Sequence, residues 1–268
     1  MDSDIKWRIS IIVTTYNSAR ALSLVLLSIA RQTVLPYEVI VADDGSRDDV
    51  RTLIQKNRST FPVTLKHSWQ PDENFRLSRS RNLAVLASSG DWILFIDGDC
   101  LLPPWFVDFH MRLAAPDNLI FGARKLLSQA ETLGLMETIG EEDDMPFLFS
   151  GRKFWKLPLG VFRSIPSRSW KLFRGFLMGM DKDLFMRSGG FDESFRSWGL
   201  EDSDFAVRAI RSGAVLKDGR YANAVLHLFH DEPHASEKSA NEVKFKALFS
   251  EEGLPRVAPI NSIFLNDV

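Results

Sequence analysis

Trp92-Ile93-Leu94-Phe95-Ile96-Asp97-Gly98-Asp99-Cys100 decides the fold class. Its opening run of large apolar residues is too short for a helix buried on all sides. It suits a strand covered on both faces, as in a parallel sheet flanked by helices. The run ends at two carboxylates separated by a glycine, which sets both acids just past the carboxyl end of a central strand, where open α/β sheets bind ligands. Residues two apart in an extended segment point the same way, so Asp97 and Asp99 can converge on one bound group. Gly98, lacking a Cβ, would let that group approach the backbone. Adjacent like charges repel, and a hard divalent cation, Mn²⁺ or Mg²⁺, removes the repulsion while also taking phosphate oxygens. The pattern points to a nucleoside diphosphate site; the alternative is a solvated turn after a buried strand.

On the amino-terminal side, Ile9-Ser10-Ile11-Ile12-Val13-Thr14 reads as a first strand. Asn17-Ser18 is expected to cap the helix that follows, where Leu22, Val25, Leu26 and Ile29 recur at helical spacing. Glu38 to Ala42 repeats the buried-strand pattern, ends in Asp43-Asp44-Gly45-Ser46, and is followed by a helix from Asp48 to about Lys56. Val63 to His67 is a third strand and Leu77 to Ala87 a helix. Strand and helix thus alternate up to about residue 115, which implies a mainly parallel sheet with helices on both faces. Beyond Phe121 the regularity weakens. Gly175 to Met180 reads as a strand, Asp181 to Ser188 as a short helix, and Asp202 to Ser212 as a helix just past a turn at Trp198-Gly199. The expected organisation is one domain over 1–268: a nucleotide-binding half at 8–123, an insertion at 124–174, an acceptor and catalytic half at 175–232, and a polar tail at 233–268.

Composition narrows the function classes. A chain of 268 residues with 45% hydrophobic and 25% charged residues can bury a full core. Its net charge of −2 gives no global reason to bind nucleic acid, so none is expected as a partner. The single cysteine, Cys100, excludes an internal disulfide and fits a reducing compartment; it reads as core packing. The acidic start Met1-Asp2-Ser3-Asp4 and the lack of an apolar run near the ~18 residues needed to span a bilayer set the expected location in the cytoplasm.

Neither G-x-G-x-x-G nor G-x-x-x-x-G-K-[ST] occurs, so another device must hold a nucleotide. The stretches Ser10-Ile11-Ile12-Val13-Thr14-Thr15-Tyr16-Asn17, Asp43-Asp44-Gly45-Ser46, Asp97-Gly98-Asp99 and Trp198-Gly199-Leu200-Glu201-Asp202 together resemble the family 2 glycosyltransferases of GT-A fold, in order and in spacing. The last of them looks like the carboxyl-terminal half of galactosyl- and N-acetylgalactosaminyltransferases, including chondroitin-polymerase-type domains. The resemblance implies contacts from Thr14, Tyr16 and Asp44 to uracil and ribose, with Asp97 near the ribose and Arg81 near the nucleotide. It implies Asp99 on the metal, joined by a histidine from His227-Leu228-Phe229-His230-Asp231-Glu232-Pro233-His234. His230 is preferred because His-Asp-Glu-Pro resembles the family's His-x-Glu-Pro, while His227 could instead face the core. A zinc site from His227 and His230 is the rival reading, short of a third nitrogen or sulfur ligand. Asp202 is implied as general base, with Glu201 and Trp198 lining the sugar pocket and Asp204 on a solvated helix face.

The implied reaction is an inverting, metal-dependent transfer of a hexosyl group from a UDP-sugar to a hydroxyl of a saccharide acceptor, in bacterial cell-surface polysaccharide or lipopolysaccharide synthesis. Two other classes fit the same acids: a non-catalytic sugar-nucleotide or glycan-binding protein, and a nucleotidyltransferase. The latter normally carries a basic, glycine-rich loop after its first strand, which Thr14-Thr15-Tyr16-Asn17 is not. Arg152 to Arg174 interleaves cations with aromatics and holds no acid. Three readings of it stand: an interfacial segment that brings the enzyme to a lipid-linked saccharide at the inner face of the cytoplasmic membrane, a surface for an anionic glycan, and an insertion packed on the core.

Overall fold

The computed structural model describes residues 7–138, 175–220, 224–230 and 238–248. The basic stretch 152–174, Asp231 to His234, and the tail beyond 248 lie outside these residues. The amino-terminal half alternates strand and helix: β1 (Ile9–Thr15), α1 (Ala19–Ala30), β2 (Glu38–Asp43), α2 (Asp48–Asn57), β3 (Thr64–Trp69), α3 (Leu77–Ala87) and β4 (Trp92–Asp97). There follow β5 (Cys100–Leu101), α4 (Phe106–Leu113), β6 (Asn118–Phe121), β7 (Ala123–Leu126) and α5 (Gln129–Thr138). The second described segment supplies β8 (Leu177–Asp181), α6 (Lys182–Arg187), α7 (Glu201–Arg211) and β9 (Val215–Asp218), and two short segments add β10 (Ala224–His227) and α8 (Lys238–Ala247).

Seven strands form one sheet in the order β3-β2-β1-β4-β8-β6-β9. All pairings are parallel except those of β8, which runs against both β4 and β6. The sheet is therefore mixed and mainly parallel, with β4 near its middle. Alternation along each strand divides the core in two. Ile11, Val13, Leu94 and Ile96 pack with Leu22, Val25, Ile54 and Phe106 of α1, α2 and α4. Ile12, Ile93 and Phe95 pack on the other face with Val85, Phe185 and Phe205 of α3, α6 and α7. Burial on both faces explains why these strands are mostly apolar.

A second, three-stranded sheet, β5-β10-β7, has no counterpart in the sequence reading. The 123/124 division drawn there falls inside β7, which pairs with β10 from the far half of the chain. One local expectation also changes. Ser18 precedes α1 but makes no side-chain cap bond. Asn17 adopts φ +50, and its Oδ1 accepts from Arg47 N at 2.9 Å while its own N–H donates to Ser46 Oγ at 2.8 Å. A tie between the loops after β1 and β2 has replaced the local cap. Asp181 does cap α6, its Oδ1 accepting from Leu184 N at 2.7 Å.

Candidate active site

The carboxyl ends of β1, β2 and β4 open into one cavity of about 1280 Å³. Its strand side carries Thr14, Tyr16, Asp44, Asp97 and Asp99; Trp198, His227 and His230 face in from the later part of the chain. The fold thus gathers at one place eight of the residues singled out by sequence.

Asp97 ends β4, and its Oδ1 accepts from Thr14 Oγ1 at 3.1 Å and from the Arg81 guanidinium at 3.2 Å. Burial holds the Asp97 carboxyl above its ordinary range, against the pull of Arg81. Asp44 is buried with both oxygens engaged, one by Gln70 Nε2 and the other by Arg76 N at 2.8 Å. Burial raises it as well. Tyr16 stands at the rim, 53% exposed, its hydroxyl donating to Asp72 at 3.1 Å. Gly98 has a different reason from the expected one. A Cβ there would lie 2.3 Å from the carbonyl oxygen of Thr14, so the close approach it permits is that of β1 itself.

Asp99, in the same cavity, meets the end of β10. The second sheet pairs His227 with Cys100, and Leu228 N donates to Asp99 O at 2.9 Å, which brings the end of β10 against the turn after β4. Asp99 Oδ1 lies 3.5 Å from His227 Nε2, and Oδ2 lies 3.2 Å from His230 Nε2. Burial pushes the Asp99 carboxyl up, but the bond from His230 and the charge of His227 outweigh it and bring it below its usual range. Burial lowers His227. Ligands bound to one small cation at about 2.1 Å sit roughly 3 to 3.5 Å from each other, so these spacings fit a shared divalent ion. Both histidines reach Asp99, His227 through Oδ1 and the preferred His230 through Oδ2. The sulfur that the zinc reading lacked is also present: Asp99, Cys100 and His227 place ligand atoms within 4.8 Å of one another. Burial, however, pushes the Cys100 thiol well up, and its Sγ donates to Asp99 Oδ1 at 3.4 Å.

Arg81 lies behind the cavity, bonded to Asp97 of its wall. Neither a solvated charge nor part of the cavity's described wall, it is 2% exposed and lies over the Phe191 ring at 5.1 Å. Its guanidinium bridges Asp97 Oδ1 and Glu201 Oε1, the latter at 3.4 Å. Glu201, at the start of α7, is buried, and burial followed by the charge of Asp202 lifts its carboxyl to about 7. Asp202 Oδ2 accepts from Gly175 N at 2.6 Å, and Asp97 N donates to the carbonyl of the next residue, Phe176, at 3.3 Å. Neither Glu201 nor Asp202 belongs to the described wall of the cavity, whereas Trp198, 39% exposed, does. Asp204 is not solvated: it is 2% exposed and holds Arg208, whose guanidinium also reaches the carbonyls of Ser188 and Gly190. The spacing of four between Asp204 and Arg208 was the available signal. Arg124 and Arg196 also line the cavity, on elements whose placement the sequence did not disclose.

Residues 10–160 match the family model for glycosyl transferase family 2. The chain belongs to that family. Residues 162–231 of this family 2 glycosyltransferase match the N-terminal domain of galactosyltransferase. Chondroitin synthase of Escherichia coli is 27% identical over 257 residues, covering 89% of this chain and 37% of that protein, so the transferase spans well under half of the relative's length. Two solved structures share the GT-A fold. One is the mannosyltransferase PcManGT from Pyrobaculum calidifontis in complex with GDP-Man and Mn²⁺ (TM-score 0.61, 19% identity, 95% of this chain and 68% of that one). The other is S. aureus TarS 1–349 in complex with UDP-GlcNAc (TM-score 0.61, 18% identity, 97% and 72%). Among the described residues, no helix of the transferase is long and apolar enough to cross a membrane.

Proposed function

We propose that this chain, as a single domain, transfers a hexosyl group with inversion from a UDP-sugar to a hydroxyl of a saccharide acceptor in cell-surface polysaccharide synthesis. The observation that carries the reading is the convergence of Asp97 and Asp99, at the end of the central strand, with His227 and His230 in a cavity rimmed by Thr14, Tyr16 and Asp44. In this reading Thr14, Tyr16, Asp44 and Asp97 hold the uridine. Asp99 with His227 and His230 would hold Mn²⁺ or Mg²⁺, which supplies charge neutralisation for the leaving diphosphate.

Asp202 accepts the proton of the acceptor hydroxyl as its oxygen forms the new bond to the anomeric carbon. The bond from that carbon to the diphosphate breaks, and UDP leaves with the electron pair. One displacement inverts the centre. Arg81 acts through Asp97 and Glu201, keeping the end of β4 and the start of α7 in register. The PcManGT complex, with its nucleotide sugar and Mn²⁺, supports the donor class and the metal. The UDP-GlcNAc complex of TarS supports UDP as the nucleotide, and the chondroitin synthase relative supports a polysaccharide product. We place the enzyme in the cytoplasm, with residues 152–174 touching the membrane that bears a lipid-linked acceptor.

The test is incubation of the 268-residue chain with a panel of UDP- and GDP-sugars and Mn²⁺, measuring released nucleotide. UDP release from at least one donor is expected, lost in excess EDTA and in Asp99→Ala. Release of pyrophosphate, release of GDP alone, or full activity of Asp99→Ala would each overturn the reading.

A further inference from the structure

Helix α8 lies beyond both family matches, which end at residues 160 and 231, yet its contacts are directed at the cavity. Asn241 is 1% exposed, and its Nδ2 donates to two carbonyls at once, Ser197 O at 2.9 Å and Gly199 O at 2.8 Å. Between those carbonyls sits Trp198, part of the cavity wall. Gly199 is held from its other side too, its N–H donating to Glu201 Oε2 at 3.1 Å, and Glu201 is in turn bonded by Arg81.

The loop needs such restraint. Gly199 has φ +97 and Leu200 φ +73, a left-handed pair just before α7, and that region is unfavourable for leucine unless its surroundings impose it. Leu200 packs against Val207, Phe245 and Leu248, so the apolar side of α8 covers the same turn. Lys244 Nζ donates to Ser194 O, and Arg211 to Leu248 O at 2.8 Å, both fastening the carboxyl-terminal end of the helix.

We propose that Asn241 is a positioning residue of the active site. By fixing the carbonyls that bracket Trp198, it sets the sugar-facing wall of the cavity and the start of the helix bearing Glu201 and Asp202. The inference rests on reading the cavity as a nucleotide-sugar site. It separates two parts of that site: uridine is met by β1, β2 and β4, which Asn241 does not touch, while the sugar side depends on α8.

The test compares the full chain with Asn241→Ala, with Asn241→Asp, which keeps the shape but replaces the donating group with an acceptor, and with Val243→Ala, an exposed site on the same helix. Amide hydrogen exchange across 198–203 is measured without ligand. UDP affinity and the kcat and KM of sugar transfer are measured with Mn²⁺. In both Asn241 variants, exchange should rise about tenfold and kcat/KM fall about tenfold, while UDP affinity stays within about twofold. Val243→Ala should match wild type. Unchanged exchange and kcat/KM would overturn the proposal, as would a loss of UDP affinity equal to the loss of kcat/KM, the mark of a merely structural role. If Asn241→Ala fails to fold, Asn241→Ser, which keeps one donor, should give intermediate values; a wild-type loop there overturns the proposal equally. Failure of the wild-type chain to bind UDP would sink the nucleotide-sugar reading, while the exchange comparison still decides whether Asn241 holds the loop.

Discussion

Glu201→Gln isolates one ionisation, and its effect on stability follows from the surroundings of that carboxyl. Burial and the neighbouring Asp202 lift Glu201 from 4.5 to about 7, with Arg81 opposing them. Between those two values the folded chain keeps a proton that the unfolded chain has released. Stability from this group is therefore greatest below about 4.5, declines as pH rises toward 7, and is flat above. A lift of that size, at about 1.4 kcal/mol per unit, amounts to about 3 kcal/mol. Glutamine has a similar shape and no such proton, and Arg81 keeps Asp97 as its partner in the variant. Asp44, Asp181 and Asp204, whose carboxyls burial also raises, are common to both proteins and cancel in the comparison. Urea unfolding of wild type and Glu201→Gln at pH 5, 6, 7 and 8 measures the effect. Between pH 5 and 8 the difference in unfolding free energy should move by about 3 kcal/mol in favour of the variant. Parallel curves, with a change under about 1 kcal/mol, would refute the claim that this carboxyl is forced up by its burial.

Asp202→Asn should lower kcat by about a hundredfold or more while leaving UDP affinity unchanged, since an amide keeps the shape but cannot take the proton; an unaltered kcat in a steady-state assay would assign the base to another group. Gly98→Ala should destabilise the fold by about 1–3 kcal/mol in thermal unfolding because its Cβ would meet a backbone carbonyl. Gly134→Ala in α5, where a Cβ meets nothing within 4 Å, should instead be neutral or stabilising by up to about 1 kcal/mol. Equal unfolding temperatures for the two glycine variants would contradict the packing at the end of β4.

The strands that frame the cavity were legible because each buries both faces and so writes a mostly apolar run, ending in acids in β2 and β4. The second sheet was not: β5, β7 and β10 are two to four residues long, and β7 is largely exposed. No periodicity is readable at that length, and the pairing of His227 with Cys100 links positions far apart in the chain. For the same reason the sequence could offer His227 and His230 only as alternatives. The burial of Arg81 was not legible because α3 also buries Ser78, Ser80 and Asn82, which leaves no clean apolar stripe around it. Asp204 failed for a related reason: a carboxylate that finds its arginine one turn later in the interior resembles, in sequence, one that finds it in water.

The reversed strand β8 has a consequence for how the chain is made. It occupies the place between β4 and β6, yet it is encoded roughly eighty residues after β4 ends. During synthesis at about 5–20 residues per second, the nucleotide half therefore spends several seconds with Trp92 to Ile96 as an unpaired apolar margin. Such an edge recruits strands from other chains. A ribosome stalled anywhere between β4 and β8 would hold out a half-built sheet with its stickiest side open, a natural substrate for chaperones. Completing β8 turns that margin into the centre of the molecule.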